Sequence, residues 1–404
     1  MAWTTITIRL TTLLLLGVFT LPVLGQEAAP DPECELGLVL SGGGARGAAH
    51  LGVLEVLEEN GIRLDCVAGA SMGAVVGSLY ATGFSLAEID ALISGLTWRN
   101  IYAEPMNRAS MPIIHRMEQR RTSLRIGFGD GGLRLPRGIL HDGRLNRELV
   151  AKLAPAGFAA ERDFNRLPIP FRAVGTDLRT GDRVVLSGGD LARAVRANMS
   201  VPLAYPPVIW GEYLLVDGGL VDNLPVSLAR EMGAKFVIAV DVQTAIDPDI
   251  DADILGVTRR IIDLLYDTKN RENASPADLT ITPQLDSHSF GDYSALERVV
   301  QLGRDAAEEA LSRIPRKYRR SRPARAASLG GEIFGSRRLG HIEVIGNTYL
   351  SDQVLIRESN LHVGQPFVFE DALHALDHLY STSLVQGAWI DVKTHGDDSI
   401  VVEL

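Results

Sequence analysis

The chain has 404 residues, 46% of them hydrophobic and 22% charged, with a formal net charge of −10. That is room for a large globular domain and a smaller one, and the acidic balance excludes nucleic acid as a partner, since its phosphates need a basic surface. With Cys34 and Cys66 the only cysteines, a zinc site of the multi-cysteine kind is excluded as well.

Residues 1–25 open with Arg9 ahead of the apolar run "LTTLLLLGVFTLPVL", and Val23 and Gly25 place small residues before Gln26. This is the layout of a secretory signal peptide, and the run is short for a membrane span of about 20 residues. The expectation is an exported protein, in the periplasm, in the outer membrane or secreted.

From residue 36 apolar runs alternate with helical stretches. "LGLVL" (36–40) reads as a buried strand, and "ARGAAHLGVLEVLEEN" (45–60) as a helix with Leu51, Leu54 and Leu57 on one face, ending at Gly61. "CVAGA" (66–70) is a second strand, and "MGAVVGSLYATG" a helix ending at Gly83. The runs "PFRAVGTDL" (170–178), "RVVLSGG" (183–189), "EYLLVDGG" (212–219) and "KFVIAVDV" (235–242) follow as further strands. The alternation predicts an α/β domain over 35–312, a mostly parallel sheet covered on both faces. Next, "RIPRKYRRSRPAR" (313–325) holds seven basic residues and no acid, and 313–337 reads as a basic linker. Past it, "GHIEVIGN", "SDQVLIRESN", "FEDALHALDHLYSTSLV" and "GAWIDVKTHGDDSIVVEL" predict a small β-α-α-β-β domain over 338–404.

Three short motifs carry the chemistry. Gly42, Gly44 and Gly47 satisfy G-x-G-x-x-G, but a dinucleotide site wants an acid at the end of the second strand. Asp65 precedes that strand. Its end is taken by Gly69-Ala70-Ser71-Met72-Gly73, a G-x-S-x-G between strand and helix, where a serine hydroxyl is thrust clear of the sheet edge. Glycines at 42–44 would leave backbone N–H groups bare for an oxyanion, and Arg46 could add charge or hold the loop. Of His50, His115, His141 and His288 none falls at a strand end. Asp217, closing "YLLV" ahead of Gly218-Gly219, is the better base, provided that burial raises its pKa.

In that order and spacing "GGGARG", "GASMG" and "DGG" resemble the patatin-like phospholipases, over roughly 35–310. The resemblance implies a three-layer α/β/α sandwich and hydrolysis of lipid acyl esters, phospholipids among them, at a membrane surface. It also implies Ser71 as nucleophile, Asp217 as base, Gly42, Gly43 and Gly44 as the oxyanion hole, and neither cofactor nor metal. "NMSVP" (198–202) and "DNLPV" (222–226) look like that family too, although Asn198 stands where a small residue is more usual. Residues 338–404 resemble a POTRA domain, which implies an outer-membrane barrel or an assembly partner. Every expected catalytic residue precedes residue 220, so 338–404 is expected to be dispensable for hydrolysis. Two competing readings are a catalytically idle module that docks membranes or assembly factors, and a dinucleotide-dependent enzyme.

Aligning Leu40 with Ala70 staggers Cys34 and Cys66 by two residues, about 8 Å between α-carbons on ideal spacing. A bridge reaches only about 7 Å. The expectation is a buried free Cys66, with a disulfide only if Cys34 swings on its leading segment.

Overall fold

Short apolar runs with no polar side chain cannot alternate in and out of water, so they are buried on both faces. β1 (Leu36–Leu40) and β2 (Cys66–Gly69) are such strands, every residue buried. A computed structural model describes residues 34–95, 127–129, 132–134, 142–244, 254–272, 276–285, 288–319, 328–347, 350–382, 385, 387–395 and 399–404. The signal-peptide reading over 1–25, His115 and His141 lie outside the described residues.

After β1 and a single 3-10 turn come α1 (Ala49–Glu59), β2, α2 (Met72–Ala81) and α3 (Leu86–Gly95). A small hairpin of β3 (Gly127–Gly129) and β4 (Gly132–Arg134) precedes α4 (Gly143–Ala159), β5 (Phe171–Asp177), β6 (Arg183–Leu186) and α5 (Leu191–Asn198). Next are β7 (Val208–Trp210), β8 (Tyr213–Asp217), α6 (Gly219–Asp222), α7 (Val226–Glu231) and β9 (Phe236–Val240). The domain continues through α8 (Ile254–Glu272), β10 (Leu279–Ile281) and α9 (Leu296–Ala310).

The central sheet runs β10-β9-β1-β2-β5-β8-β7, with β6 also on β5. β10, β9, β1, β2 and β5 are parallel. β6 and β8 run antiparallel to β5, and β7 antiparallel to β8. Alternate strand residues feed two cores. Leu36, Leu38 and Leu40 join the larger, with α1, α2, α4 and α5; Val39, Ala68, Val174 and Ala239 join the smaller, with α7. The result is the expected α/β architecture with a mostly parallel sheet.

Residues 338–404 run β11 (Leu339–Glu343), α10 (Asp352–Ser359), α11 (Phe369–Thr382), β12 (Asp391–Thr394) and β13 (Ile400–Glu403). Their sheet is ordered β11-β13-β12, with β11 parallel and β12 antiparallel to β13. The stretch read as a linker is packed at both ends. Tyr318 is buried with its ring 5.3 Å from that of Phe236. Phe334 is buried among Phe158 of α4, Phe367 and Phe369, at centroid distances of 4.7, 5.3 and 4.9 Å. All described residues therefore share one compact unit, Pro32–Leu404.

The cysteines overturn an expectation. Leu40 pairs with Gly69, not Ala70, so Cys66 faces Gly37 and the stagger is wider than the alignment implied. Cys34 lies before the first ladder residue, where its carbonyl accepts from Lys235 N at 3.3 Å. Freed from the strand direction, it comes within 5.8 Å of Cys66 between α-carbons, and the two form a disulfide. The bridge spans 32 residues, so reducing it should lower unfolding stability by about 3–4 kcal/mol. Denaturant melts with and without reductant, beside an intact mass that rises by two hydrogens on reduction, check this.

Candidate active site

β2 ends at Gly69 and α2 begins at Met72, so two residues must turn the chain. Ser71 does so at φ 50° and ψ −126°, a region that a residue with a β-carbon adopts at a cost of about 1–3 kcal/mol. Gly73 makes the turn possible, because a β-carbon there would stand 2.2 Å from the Leu40 carbonyl oxygen. Gly47, Gly69, Gly218 and Gly219 are similarly crowded: a β-carbon on each would fall within 2.6 Å of Met72, Gly73, Val174 and Asn223 respectively. The motif glycines thus allow four elements to meet at one point.

Asp217 arrives by a route the strand pattern did not suggest. β8 runs antiparallel, so its carboxyl end points away from the edge at which β1 and β2 end. The two residues still meet, for a reason of length. Gly69 of β2 pairs with Ala173, while β5 runs on to Asp177 and pairs Gly175 with Asp217. Ser71, two residues past Gly69, is level with Gly175 and hence with Asp217. Its Oγ donates to Asp217 Oδ2 at 2.7 Å. Asp217 is wholly buried and Ser71 nearly so. Burial pushes the Asp217 carboxyl up to about 6, against the hydrogen bonds from Ser71 and Gly219 N that pull it down. A carboxylate so placed is ionised at neutral pH and can take the serine proton.

The glycine loop divides. Gly42 N–H is occupied, shared between the backbone carbonyl of Asn223 at 3.2 Å and its Oδ1 at 3.1 Å, which removes Gly42 from the expected oxyanion donors. Among the described residues no protein acceptor takes the N–H of Gly43 or Gly44. Gly44 has φ +56°, and a β-carbon on it would meet the Phe290 carbonyl at 2.4 Å. Arg46 braces this loop, its guanidinium donating to Thr244 Oγ1 and to Gly43 O at 3.5 Å. His50 is a packing residue. One ring nitrogen, Nε2, lies 2.8 Å from Ser41 O, and burial pushes the ring down to about 4, so it is neutral and donates there. His288 stands beside Asp292. Asp65 accepts from Leu36 N at 2.9 Å, at the opposite edge of the sheet. Among the described residues no cluster of His, Cys, Asp and Glu could hold a metal ion.

Four residues to which the motifs assign no role complete the site. Asn198 Oδ1 accepts Ser71 N–H at 3.2 Å. Asn223 clips the glycine loop to the end of α6, its Nδ2 donating to Gly42 O at 3.3 Å. Thr176 Oγ1 donates to Asp217 O at 2.8 Å. Tyr266 of α8 is buried; its hydroxyl makes no hydrogen bond of good geometry yet faces Asp217 closely enough to shift its proton affinity. Asn198 and Asn223 lie in the quoted "NMSVP" and "DNLPV", so a signal existed for them. Tyr266 had none, because nothing in its helix links it to a strand end.

Two stability effects should follow. Ser71→Gly relieves the strained φ whereas Ser71→Ala keeps it, so the glycine variant should be the more stable by about 1 kcal/mol. Asp217 titrates near 6 folded and near 3.9 unfolded. Below pH 4 both states are protonated and nothing is lost; stability falls between pH 4 and 6 and stays reduced above. At pH 8 Asp217→Asn should therefore gain up to about 3 kcal/mol over wild type, and at pH 4 almost none. Thermal melts at the two pH values test this.

Residues 38–230 match the family model described as patatin-like phospholipase. An uncharacterized NTE family protein of Mycobacterium tuberculosis is 29% identical over 69% of this chain and 47% of its own length. Patatin-like phospholipase domain-containing protein 7 of Rattus norvegicus is 34% identical over 53% of this chain and 14% of its own. The chain thus spans about half the length of the first curated relatives it matches, and less of others. VipD from Legionella pneumophila is similar at 18% identity and a TM-score of 0.38, over 70% of this chain and 67% of VipD. The similarity to patatin-like phospholipases thus lies over residues 38–230, the stretch that holds both Ser71 and Asp217.

Proposed function

We propose that the protein is a lipid acyl hydrolase of the phospholipase A or esterase type, working through a Ser71–Asp217 dyad. The hydrogen bond of 2.7 Å from Ser71 Oγ to a buried, pKa-raised carboxylate is the observation that carries this reading. Asp217 takes the serine proton as Oγ attacks the ester carbonyl, and the N–H groups of Gly43 and Gly44 receive the oxyanion. Asp217 then returns the proton to the leaving alcohol, leaving an acyl-serine. A water deprotonated by Asp217 attacks that ester, the fatty acid leaves, and the proton goes back to Ser71. No cofactor or metal enters.

The lipid is met at a membrane surface, and α8 supports this. Val257, Ile261, Leu264 and Leu265 are 43–53% exposed and share one face of the helix. Tyr266, on the opposite face at 100° per residue, is buried against Asp217. An apolar stripe backed directly by the catalytic carboxylate suits a helix lying in the interface of a lipid aggregate. Among the described residues no helix is long and apolar enough to cross a membrane. Export is part of the same reading. The Cys34–Cys66 bridge supports it, since disulfides persist in oxidising compartments. Residues 338–404 are read as a POTRA-like unit with an outer-membrane partner, supported by the β-α-α-β-β order of their elements.

Ser71→Ala and Asp217→Asn should each lower kcat on mixed phospholipids by at least about 10³-fold, and a fluorophosphonate should label Ser71. The acid limb of kcat/KM should fall tenfold per pH unit below about 6, where Asp217 protonates. Turnover that survives Asp217→Asn but dies on replacing His141 would overturn the dyad. Separately, Ile261→Ser with Leu265→Ser should cut hydrolysis of phospholipid vesicles about tenfold or more while leaving a soluble short-chain ester unaffected.

A further inference from the structure

The segment Asp190–Ser200 touches both catalytic residues through their backbone. Asn198 Oδ1 accepts the N–H of Ser71 at 3.2 Å, and the carbonyl of Ser200 accepts the N–H of Asp217 at 3.1 Å. Where this segment sits therefore decides where nucleophile and base sit. Most of it is α5, a rod of eight residues, about 12 Å long.

Both ends of that rod are gripped from residues 338–404. At the amino end, Asp190 caps α5 by accepting from Arg193 N at 3.1 Å, and its Oδ2 accepts from Trp389 Nε1. Arg193 also reaches Glu403 at 3.6 Å, and Asp391 pairs with Arg162 close by. Toward the carboxyl end, Arg196 is wholly buried. Its guanidinium donates to Asp142 Oδ2 at 2.9 Å, Asn146 Oδ1 at 2.9 Å and Ser200 Oγ at 2.7 Å. The Tyr380 hydroxyl of α11 closes the cluster: it accepts from Asn146 Nδ2 at 2.7 Å and stands 3.2 Å from Asp142 Oδ1 and 3.0 Å from Ala388 O, either of which can take its proton. One hydrogen-bonded path thus runs from Tyr380 through Asp142 and Arg196 to Ser200 and the Asp217 amide.

We infer that residues 338–404 are a positioning element of the hydrolase, with Tyr380 and Trp389 holding α5, and through it Ser71 and Asp217, in register. This rests on the dyad reading, and it reverses the expectation that 338–404 is dispensable for hydrolysis. A chain cut near residue 315 loses both grips on α5. Neither residue touches substrate; each acts through a half-buried polar contact whose loss lets the rod shift.

The test keeps the full chain and removes one polar atom at a time. Tyr380→Phe keeps the ring and deletes only the hydroxyl, while Trp389→Phe keeps an aromatic ring there but loses the indole N–H together with the five-membered ring. Each should lower kcat on a soluble short-chain ester about tenfold with KM unchanged, and slow fluorophosphonate labelling of Ser71 in step, at temperatures well below the melt. The double variant should lose less than the product of the two, since both act on one rod. If both variants melt lower but keep wild-type kcat and labelling rate per folded molecule, residues 338–404 merely buttress the fold and the inference is wrong. Should Tyr380→Phe not fold, Trp389→Phe decides alone. Wild-type labelling of Ser71 is the control: its absence sinks the dyad reading, whereas normal wild-type labelling with unaffected variants sinks only this one.

Discussion

β5 outruns β2, and the site depends on that difference in length. A parallel sheet gathers loops at one edge, but β8 runs the other way and would carry Asp217 off toward the opposite edge. Because Gly175 lies two residues past the partner of Gly69, the antiparallel strand ends level with the elbow and not beneath it. A one-residue slip of β8 would move the carboxylate by about 3.3 Å and turn it to the other face of the sheet. The register is held by more than the ladder: Thr176 binds the Asp217 carbonyl and Ser200 its amide.

Around this register the protein gathers groups that are costly to bury. A strained serine, a carboxylate with a raised proton affinity and a wholly buried guanidinium lie on neighbouring segments. Each is tolerated because its polar atoms are met. Asp217 accepts from Ser71 and Gly219, and Arg196 donates to three partners while its guanidinium stacks 4.9 Å from the Tyr205 ring centre. His50 is handled differently, held neutral by burial with Nδ1 unpartnered. A carboxylate left ionised at neutral pH and an imidazole held neutral are thus set apart by their surroundings.

Much of this was readable from the chain, because the information was local. β1, β2, β5, β8 and β9 are apolar runs ended by glycine or polar residues, and the three motifs announce their own turns. What was not readable was relational. A five-residue run such as Tyr213–Asp217 looks the same in either strand direction, so Asp217 was expected at the right place for an incomplete reason. Gly42 carries the same bare amide as Gly43, and only the arrival of Asn223, 181 residues away, takes it out of service. Ideal strand spacing does not govern Cys34, which lies outside the strand, so the sequence alone does not show its approach to Cys66. Phe334 and Tyr318 sat unnoticed in a basic, glycine-containing stretch whose overall composition reads as solvent-exposed.

Arg196 bears on how such a chain can change over generations. Its charge is permanent and buried, so removing Asp142 alone leaves that cation with Asn146 and Ser200 but no counter-charge, a loss of about 3–5 kcal/mol. Replacing Arg196 alone strands the acid instead. Tyr380 belongs to the same set, since its hydroxyl lies between Asp142 and Asn146. Positions 142, 196 and 380, on three separate elements, are therefore free to drift only together. Among relatives, the chains that lack anything like residues 338–404 should carry a different solution at 142 and 196, and the swap between the two solutions has no single-step path.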